Sequence, residues 1–461
     1  MTTKYENGLF IFRRDLRLID NNGLNFLNDM CKNLYTIFIF TPEQVGPSNK
    51  YKSDNSVQFM IESLESLATN IKKMGGQLYT FYGHNEKVIG DCIKEWNINL
   101  VFFNKDYTPY AMERDAKIIK LCERLKTYVM YSWDYYLTNP DEVLSGSGEP
   151  YVKFTPYYET ALKVRVENPS KLKSLHLKKS DKSIPNKITL ENALKKFTKT
   201  NQDILVHGGR EEAIKTLKSA IKSQKHYSKT RNTLAINTSL LSAYLKFGCL
   251  SCREVYYAFK SNREFIRQLY WRDFYGQVLY YNPHVLGHAM KPNYNKIKWH
   301  HNERWFKAWT DGMTGFPIVD ASMRQLNACG WTHNRGRMIS SSFLIKTLLI
   351  DWKKGEKYYA NMLTDYDPAN NNGGWQWSAS TGSDSQPFFR IFNPWLQSEE
   401  HDPECEYIKK WIPELKDVPI KDIHNWETEF TKYKDVKYPK PICSYEEQKE
   451  KALKMYKDAL Y

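Results

Sequence analysis

The sequence lacks the features of membrane and secreted proteins. No apolar run approaches the roughly 18 residues of a membrane-spanning helix, and the start MTTKYENGLF has no basic segment followed by an apolar stretch. Cysteine is scarce, with 8 in 461 residues, and only Cys249 and Cys252 form a C-x-x-C, without a second pair at zinc spacing. We therefore expect an intracellular protein of the cytoplasm or nucleus, monomeric, with reduced thiols and no metal site.

Several common catalytic signatures are also missing. The chain has no G-x-x-x-x-G-K-[ST], no complete G-x-G-x-x-G, no H-E-x-x-H and no G-x-S-x-G. The segment Gly146-Ser147-Gly148 lacks the third glycine and does not follow a predicted strand. These absences argue against a P-loop nucleotide site, a dinucleotide fingerprint, a zinc protease and a serine hydrolase.

Positive charge and tryptophan are abundant instead, and they coincide. The formal net charge is +15, which favours a polyanionic partner. Residues 231–398 hold 20 basic and 11 acidic residues, and nine of the 13 tryptophans lie between Trp271 and Trp395. The same part of the chain is therefore both basic and rich in indole rings.

Hydrophobic periodicity predicts an α/β domain followed by an all-α domain. Short β-rich runs at 8–12, 34–40, 77–82, 99–103 and 127–131 alternate with helical patterns such as 57–74, as expected for a doubly wound parallel sheet. We assign residues 1–135 to this domain, 136–230 to a long connector and 231–461 to a helical domain. The lysine-rich stretch 171–199 of the connector suits a polyanion or simply a solvated face.

Hydroxyl groups cluster where a short helix is expected to begin. Thr238, Ser239 and Ser242 lie just before the segment AYLKFG, where free backbone N–H groups favour a phosphate. Simple N-capping by the same hydroxyls is the alternative. Gly248 suits the end of this helix, and Ser251 with Glu254 forms a capping box for the next one.

Two further segments combine aromatic or basic side chains with amides. Gln268 and Arg272 lie one turn apart in an aromatic-rich helix, which either faces a ligand or belongs to the core. In GWTHNRGRM, residues 330–338, two arginines and an asparagine fall within little more than one turn. Guanidinium groups at such spacing bind phosphates or pair with acids, whereas we expect His333 to be structural.

The most specific segment is DYDPANNNGGWQW, residues 365–377. It holds two acids, three asparagines, two glycines and two tryptophans in 13 residues, a composition that packing alone does not explain. Asparagine and glycine allow unusual backbone angles, and glycine permits close approach of the backbone to a flat ligand.

Together with FRRDLRLIDN at 12–21 and FRIFNP at 389–394, these segments resemble the DNA photolyase/cryptochrome family over residues 8 to 426. The NRGRM and NNGGWQW versions are most similar to class I photolyases that repair cyclobutane pyrimidine dimers. The resemblance implies an antenna-type α/β domain and a helical domain that binds FAD and UV-damaged DNA. It also implies a deoxyribodipyrimidine photo-lyase, in which light-excited reduced FAD passes an electron to a flipped-out lesion.

The resemblance implies a set of flavin-binding residues. Asn371 matches the residue beside flavin N5, Asp365 and Asp367 match acids near the ring, and Arg337 is expected to pair with Asp365. The phosphate segment of the family matches Tyr227, Thr238, Ser239, Leu240, Leu241 and Ser242.

The resemblance also implies a lesion pocket and an electron path. Trp271 and Trp377 match the aromatic walls of the pocket, Asn334 and Met338 match its polar and thioether contacts, and Gln268 stands where this branch usually has glutamate. Candidates for the DNA phosphates that flank the lesion are Arg272, Arg335 and Arg390. Electron-hopping residues of the family match Trp375, Trp352 and Trp299, although large aromatics at helical positions usually form core.

Two alternatives and one cofactor stay open. Gln268 and the segment TSLLSAYLKFG are similar to (6-4) photolyases and animal cryptochromes, but only the first residue of His333-Asn334 matches the histidine pair of (6-4) enzymes. A (6-4) photoproduct photolyase and a cryptochrome-type blue-light photoreceptor are therefore the alternative functions. A second antenna chromophore, folate or deazaflavin, has a possible place at NKDYTPY, residues 104–110.

Overall fold

The computed structural model describes residues 4–460 and begins with a five-stranded parallel sheet. Its strands run in the order β3-β2-β1-β4-β5, and the ends of the predicted strands differ from the observed ones by at most three residues. The strands are β1 (Tyr5–Ile11), β2 (Cys31–Phe40), β3 (Leu78–Tyr82), β4 (Leu100–Asn104) and β5 (Tyr128–Ser132). The helices between them are α1 (Asn22–Met30), α2 (Pro42–Val45), α3 (Asp54–Lys73), α4 (Asn85–Glu95) and α5 (Pro109–Arg124).

Both faces of this sheet are covered, as the near-continuous apolar strands predict. Leu9 and Ile11 of β1 belong to a core with Val88 of α4 and Ile118 of α5. Phe10, which points to the opposite face, belongs to a core that also holds residues of α1 and α3. The doubly wound parallel sheet is therefore confirmed.

Residues 133–241 lead from the sheet to the helical part of the chain. They contain α6 (Phe154–Ala161), α7 (Leu190–Phe197), α8 (Arg210–Ser223) and α9 (Tyr227–Thr230). Single-residue bridges from Leu177 to Leu34 and from Lys187 to Phe81 hold this segment against the sheet. The lysines at 171–199 are exposed, as a solvated face requires.

The rest of the chain is helical, as predicted, and has its own core around Trp309, Phe343 and Trp375. None of the helices in residues 4–460 is long and apolar enough to cross a membrane. Four 3₁₀ helices occur at Pro283–Val285, Pro292–Lys296, Pro413–Leu415 and Phe430–Lys432. The α-helices are α10 (Ser242–Phe247), α11 (Cys252–Ala258), α12 (Arg263–Tyr281), α13 (Glu303–Asp311), α14 (Pro317–Cys329), α15 (Asn334–Lys346), α16 (Trp352–Met362), α17 (Pro368–Ser378), α18 (Pro394–His401), α19 (Glu406–Trp411), α20 (Ile420–His424), α21 (Trp426–Glu429) and α22 (Tyr445–Leu460).

The predicted helix boundary around Gly248 is confirmed. Gly248 has φ +68°, and a Cβ there would lie 2.1 Å from the carbonyl oxygen of Arg14, so a side chain would push α10 away from the α/β domain. Ser251 and Glu254 form the reciprocal capping box at the start of α11. The local sequence thus fixes a tight turn where the two domains touch.

An ionic cluster, which we call the interdomain cluster, joins the domains at this turn. Arg17 and Arg253 both bind Asp134, and Arg253 Nε also binds the Asp20 carboxylate at 2.9 Å. Ser251 Oγ donates to the same Asp20 oxygen, Oδ2, at 2.5 Å. All five side chains are buried. Because every charge has an opposite charge beside it, this cluster fixes how the helical domain sits on the sheet.

Candidate functional site

Helix α17 carries most of segment 365–377 and is anchored at its start by Asp367. The Asp367 carboxylate caps the helix by accepting the N–H of Asn370 at 3.0 Å. It also accepts the Tyr107 hydroxyl at 3.0 Å and pairs with Arg14 at the end of β1. Burial alone would raise the pKa of Asp367, but Arg14 and these hydrogen bonds hold it well below its usual range. The N-terminus of α17 is therefore tied to the α/β domain.

Glycines let α17 pack tightly on two sides and leave it open on another. A Cβ on Gly373 would lie 2.2 Å from the Tyr275 ring of α12, and one on Gly355 would lie 2.2 Å from the Trp375 ring. Gly374, in contrast, is exposed and has no atom within 4 Å of the place where a Cβ would be. A flat ligand can therefore approach the α17 backbone at Gly374.

Asn371 stands on the same helix, one turn before the open glycine surface. Its Nδ2 donates to the Glu356 carbonyl oxygen at 3.0 Å, and no donor within residues 4–460 reaches its Oδ1. The Glu356 carboxyl lies below it, within 3.3 Å of Asn372 Nδ2. Burial raises the pKa of Glu356 to about 7. The Glu356 backbone carbonyl thus fixes the Asn371 amide so that its Oδ1 is presented, while the Glu356 carboxyl contacts the neighbouring Asn372.

The expected pair between Arg337 and Asp365 is present. Arg337 Nη2 donates to both Asp365 oxygens, at 2.9 and 3.2 Å, and Nε donates to the Thr332 carbonyl at 3.0 Å. Asp365 is buried and Arg337 half-buried. This pair connects the first turn of α15 to the segment that precedes α17.

The hydroxyl-rich segment before α10 does not cap its helix. The helix begins at Ser242, with Leu241 as an N-cap residue that makes no side-chain hydrogen bond. Within residues 4–460, the hydroxyls of Thr238, Ser239 and Ser242 have no hydrogen-bond partner. Leu240 lies in the left-handed region at φ +55°. The N-capping alternative is therefore wrong for these residues, and their polar groups are free for an anionic ligand.

Tyr227 and Leu241 complete the predicted cofactor set. The Tyr227 ring packs edge-on against Phe265 of α12, with 5.2 Å between ring centroids, and Leu241 is buried. The ring contact places α9, which carries Tyr227, beside the start of α12.

The predicted lesion residues lie on α12, α15 and α17, and all are at least partly accessible. Trp271 stacks on Phe154 of α6 at 3.7 Å between centroids and 8° between planes. Asn334 Nδ2 contacts Met338 Sδ at 3.6 Å. Gln268 Nε2 donates to the Glu264 carbonyl at 3.1 Å, which leaves Oε1 free among the described residues. Trp377 is half-buried two turns along α17 from Asn370.

The three predicted phosphate-binding arginines differ in their surroundings. Arg390 is exposed on the loop after α17, and Lys346 of α15 fixes that loop by donating to the Arg390 carbonyl at 2.9 Å. Arg335 is half-buried and donates to Asn232 Oδ1 at 2.8 Å. Arg272 is turned inward, where it donates to the carbonyls of Tyr135 and Leu245. These contacts therefore turn the Arg272 guanidinium away from the surface.

The three predicted electron-transfer tryptophans run from the core toward the surface. Trp375 is 3% and Trp352 2% exposed, whereas Trp299 is half-buried. Trp375 packs edge-on against Tyr359 at 5.1 Å and against Trp309 at 6.1 Å. Trp299 packs edge-on against Tyr456 at 6.1 Å.

Residues 104–110 lie at the carboxyl end of β4, beside β1. The strand order reverses between these two strands, and open α/β sheets bind ligands at that point. Asn104 is buried and donates to Asp15 Oδ2 at 2.6 Å, whereas Tyr110 is 42% exposed and shares a hydrogen bond with Thr41. Tyr110 therefore provides an exposed aromatic ring near the switch point, the place where the strand order reverses.

Sequence reasoning missed four charged residues of this region. Arg14 pairs with Asp367, Lys346 holds the Arg390 loop, and the Glu356 carboxyl contacts Asn372 while its backbone carbonyl holds Asn371. Lys246 of α10 is held among Arg14, Asp365 and Asp367, and its burial lowers its pKa to about 7. A usable signal was present: Lys246 and Lys346 each interrupt a run of apolar residues, where an unpaired charge is costly.

Comparisons with known proteins agree with this arrangement. Residues 9–174 match the model of the DNA photolyase family, and residues 265–458 match that of the FAD binding domain of DNA photolyase. A deoxyribodipyrimidine photo-lyase of Alkalihalophilus pseudofirmus is 37% identical, with 97% of each chain covered.

Solved structures give the same result. An archaeal photolyase from Sulfolobus tokodaii, described as containing two FAD molecules, has 41% identity and a TM-score of 0.88, covering 98% of this chain and 100% of its own. A bacterial class III photolyase from Agrobacterium tumefaciens has 32% identity and a TM-score of 0.91, covering 100% and 98%. With an FAD-binding helical domain seated on a doubly wound sheet, this chain belongs to the DNA photolyase family.

Proposed function

We propose that this protein repairs cyclobutane pyrimidine dimers in DNA in a light-dependent reaction, as a class I deoxyribodipyrimidine photo-lyase. The observation that carries the proposal is the open surface of α17. Asn371, Gly374 and Trp377 lie along it, between α12 with Trp271 and α15 with Asn334 and Met338. Bound and reduced, FAD supplies a light-excitable one-electron donor at this surface.

The chain's polar groups fit both ends of FAD. The free hydroxyls of Thr238, Ser239 and Ser242 suit the diphosphate, since hydrogen bonds to charged groups are worth about 1.5–3 kcal/mol each. The exposed glycine backbone of α17 suits the flat ring, and the free Asn371 Oδ1 can accept a hydrogen bond from a protonated ring nitrogen. Asp365 pairs with Arg337, and Asp367 pairs with Arg14, whose charge holds the pKa of Asp367 well below its usual range.

The lesion-side residues suit a flipped-out dimer. One face of Trp271 is covered by Phe154, so its other face is the one left for a base. Asn334 and the free Oε1 of Gln268 can hydrogen-bond thymine edges, and the thioether of Met338 packs against a ring. A dimer stacks and pairs poorly in the duplex, which lowers the cost of flipping.

Phosphate contacts are assigned to Arg390 and Arg335. Arg335 follows Asn334 directly, Arg390 lies on the loop after α17, and both are at least partly exposed. Phosphate contacts of this kind fix the register without reading sequence. Arg272 is assigned a positioning role instead, because its guanidinium already binds two carbonyls. We further assign residues 1–135 to the antenna-type domain, 136–230 to the connector and 231–461 to catalysis, in a monomer.

The test is light-dependent loss of dimers from a defined oligonucleotide. FAD-loaded protein, reduced with dithionite, is mixed with an oligonucleotide that contains one thymine dimer, in blue light and in darkness. We expect the dimer to disappear only in light. A Trp377→Ala variant should lose most of this activity, while Trp411→Phe, at a half-buried tryptophan outside the site, serves as the control. Unchanged dimers in illuminated wild-type samples would reject the proposal.

A (6-4) photoproduct photolyase is the second candidate, because Gln268 favours it. The buried state of His333 argues against it: this ring is 1% exposed, its Nδ1 accepts the Arg335 N–H at 3.0 Å, and burial lowers its pKa to about 4. A neutral, enclosed imidazole cannot donate a proton to a lesion near pH 7. Assaying both lesions side by side separates the candidates.

A second chromophore is proposed at the switch point between β1 and β4. Tyr110 supplies an exposed ring there, and the Sulfolobus tokodaii relative is described as holding a second FAD as a light-harvesting cofactor. The absorption spectrum of the purified protein, together with its FAD content per chain, tests this: two FAD per chain indicate a second FAD, whereas one FAD with absorption beyond the flavin spectrum indicates folate or deazaflavin.

A further inference from the structure

A lysine-rich pocket of about 380 Å³ lies between α22 and the segment that follows the second 3₁₀ helix. One wall is formed by Lys451, Lys454 and Asp458 of α22, and the other by Lys296 and Lys298. No carboxylate lies within 4.0 Å of any of these four ammonium groups among residues 4–460. With four lysines against one aspartate, the pocket attracts an anion.

The lining of the pocket is partly apolar. Met455 and Ala459 contribute to it beside the lysines. A volume of this size accommodates a small organic molecule, and a lining of ammonium groups and apolar side chains suits an anion with a hydrophobic or polarisable body. A DNA backbone, being a long strand, needs an extended groove rather than a pocket of this size.

Trp299 stands directly behind one wall. Lys296, Lys298 and His300 line the pocket, whereas Ile297 is buried and Trp299 packs against the core of the helical domain. On the other side, Met455 lines the pocket while the next residue, Tyr456, is buried and packs edge-on against the Trp299 ring at 6.1 Å. An anion in the pocket is therefore separated from the indole by one layer of chain.

We propose that this pocket binds an anionic one-electron reductant that supplies Trp299. The proposal rests on the proposed function, in which light draws an electron inward through Trp375, Trp352 and Trp299. The tryptophan radical cation left at Trp299 takes one electron from the bound anion and becomes neutral indole. The reductant loses that electron, no bond is broken and no proton moves.

The test compares reductants of opposite charge on the FAD-loaded protein. Light-driven reduction of oxidised flavin is measured with ferrocyanide, an anion, and with hexaammineruthenium(II), a cation, in wild type and in K298Q/K454Q. Charge at a pocket changes association rates by about 10- to 1000-fold. We expect the variant to be about tenfold slower with ferrocyanide in 20 mM buffer, and equal or faster with the cation. The ferrocyanide difference should vanish near 1 M salt, where screening acts within about 3 Å.

The matched control is K218Q/K222Q, which removes two exposed lysines of α8 and lowers the net charge equally. Equal ferrocyanide rates in the two double variants would overturn the proposal. A second readout needs no photochemistry. The fluorescence of Trp299 is the part of the emission that Trp299→Phe removes. Iodide should quench this fluorescence more strongly than caesium does, and K298Q/K454Q should abolish the difference between the two ions. Equal quenching by both ions would also overturn it.

Failure of the pocket is distinguishable from failure of the proposed function. Protein reduced beforehand with dithionite does not need Trp299, so dimer repair by reduced K298Q/K454Q should equal that of wild type. Repair without any ferrocyanide preference rejects the pocket alone. Absence of repair in wild type rejects the proposed function, and absence of photoreduction with either donor rejects the reductant site.

Discussion

The interdomain cluster and the open surface of α17 differ in whether their polar groups have hydrogen-bond partners. In the cluster, two arginines meet two aspartates and a serine, all are buried, and each charge has a partner. Around α17, the hydroxyls of Thr238 and Ser239 and the amide oxygens of Asn371 and Gln268 have no partner within residues 4–460. Of these two regions, the second is the one whose polar groups are available to a ligand.

This difference distinguishes residues that maintain the fold from residues that can bind a ligand, without reference to sequence conservation. Buried polar groups that satisfy one another fix geometry and have nothing to offer a ligand. Unpaired but accessible groups cost the free protein little, because water satisfies them, and they gain partners when a ligand replaces the water. Variants in the cluster should therefore change stability, and variants near α17 should change binding.

The largest effect is expected from Asp20→Asn in the interdomain cluster. Asp20 has φ +53°, a conformation that asparagine tolerates, so the change removes charge without backbone strain. It leaves Arg253 short of one buried partner, and breaking such a pair costs about 3–5 kcal/mol. The free energy of unfolding in urea measures it. The control, exposed Arg304→Met, should change stability by less than about 0.5 kcal/mol, and an equally small loss for Asp20→Asn would contradict the role of the cluster.

Glu356 is buried beneath the open surface of α17. Because its carboxyl titrates, its contribution to stability depends on pH. Its pKa is about 7 in the folded chain against a usual 4.5, so the folded state holds the proton more tightly. The resulting stabilisation is fully present below pH 4.5 and is lost as the pH rises through 7. Relative to wild type, Glu356→Gln should be nearly neutral at pH 5 and about 3 kcal/mol more stable at pH 8. Parallel urea titrations at both pH values check this, and an offset independent of pH would refute the raised pKa.

The sequence predicted those features whose determinants are local. Strand and helix alternation gave the sheet, the Ser251–Glu254 spacing gave the capping box, and residues 365–377 marked the central helix of the site. The interdomain cluster has no such signature, because Arg17, Asp134 and Arg253 are separated by more than a hundred residues and meet only through packing. The contacts of Arg272 could not be predicted for the same reason, because its acceptors, the carbonyls of Tyr135 and Leu245, are distant in sequence.

Ser239→Ala should change cofactor binding and leave stability nearly unchanged. The Ser239 hydroxyl has no partner among residues 4–460, so its removal should cost less than about 0.5 kcal/mol of unfolding free energy. If it binds an FAD phosphate, the lost hydrogen bond to a charged group corresponds to about a tenfold or greater loss of affinity. Fluorescence titration of the apoprotein with FAD measures the affinity. Ser219→Ala on exposed α8 is the control, and equal FAD affinities for the two variants would remove Ser239 from the phosphate site.

The smallest change is expected from Gln268→Glu, which sharpens the assignment of the lesion. The new carboxylate loses the hydrogen bond to the Glu264 carbonyl and faces the Glu264 carboxylate one turn away, a repulsion of only about 0.2–0.5 kcal/mol. Because the amide oxygen that faces a lesion is replaced by a carboxylate oxygen, acceptance from a thymine N–H is kept. We expect the Kd for dimer-containing DNA to change by less than about fivefold, whereas Gln268→Ala, which removes the acceptor, should raise this Kd by about tenfold.

Titration of all three proteins with dimer and (6-4) oligonucleotides measures the affinity for both lesions. If Gln268→Glu abolished (6-4) binding while wild type bound that lesion more tightly than the dimer, the amide would be serving the (6-4) photoproduct, and Gln268 would outweigh the buried His333 as the guide to substrate.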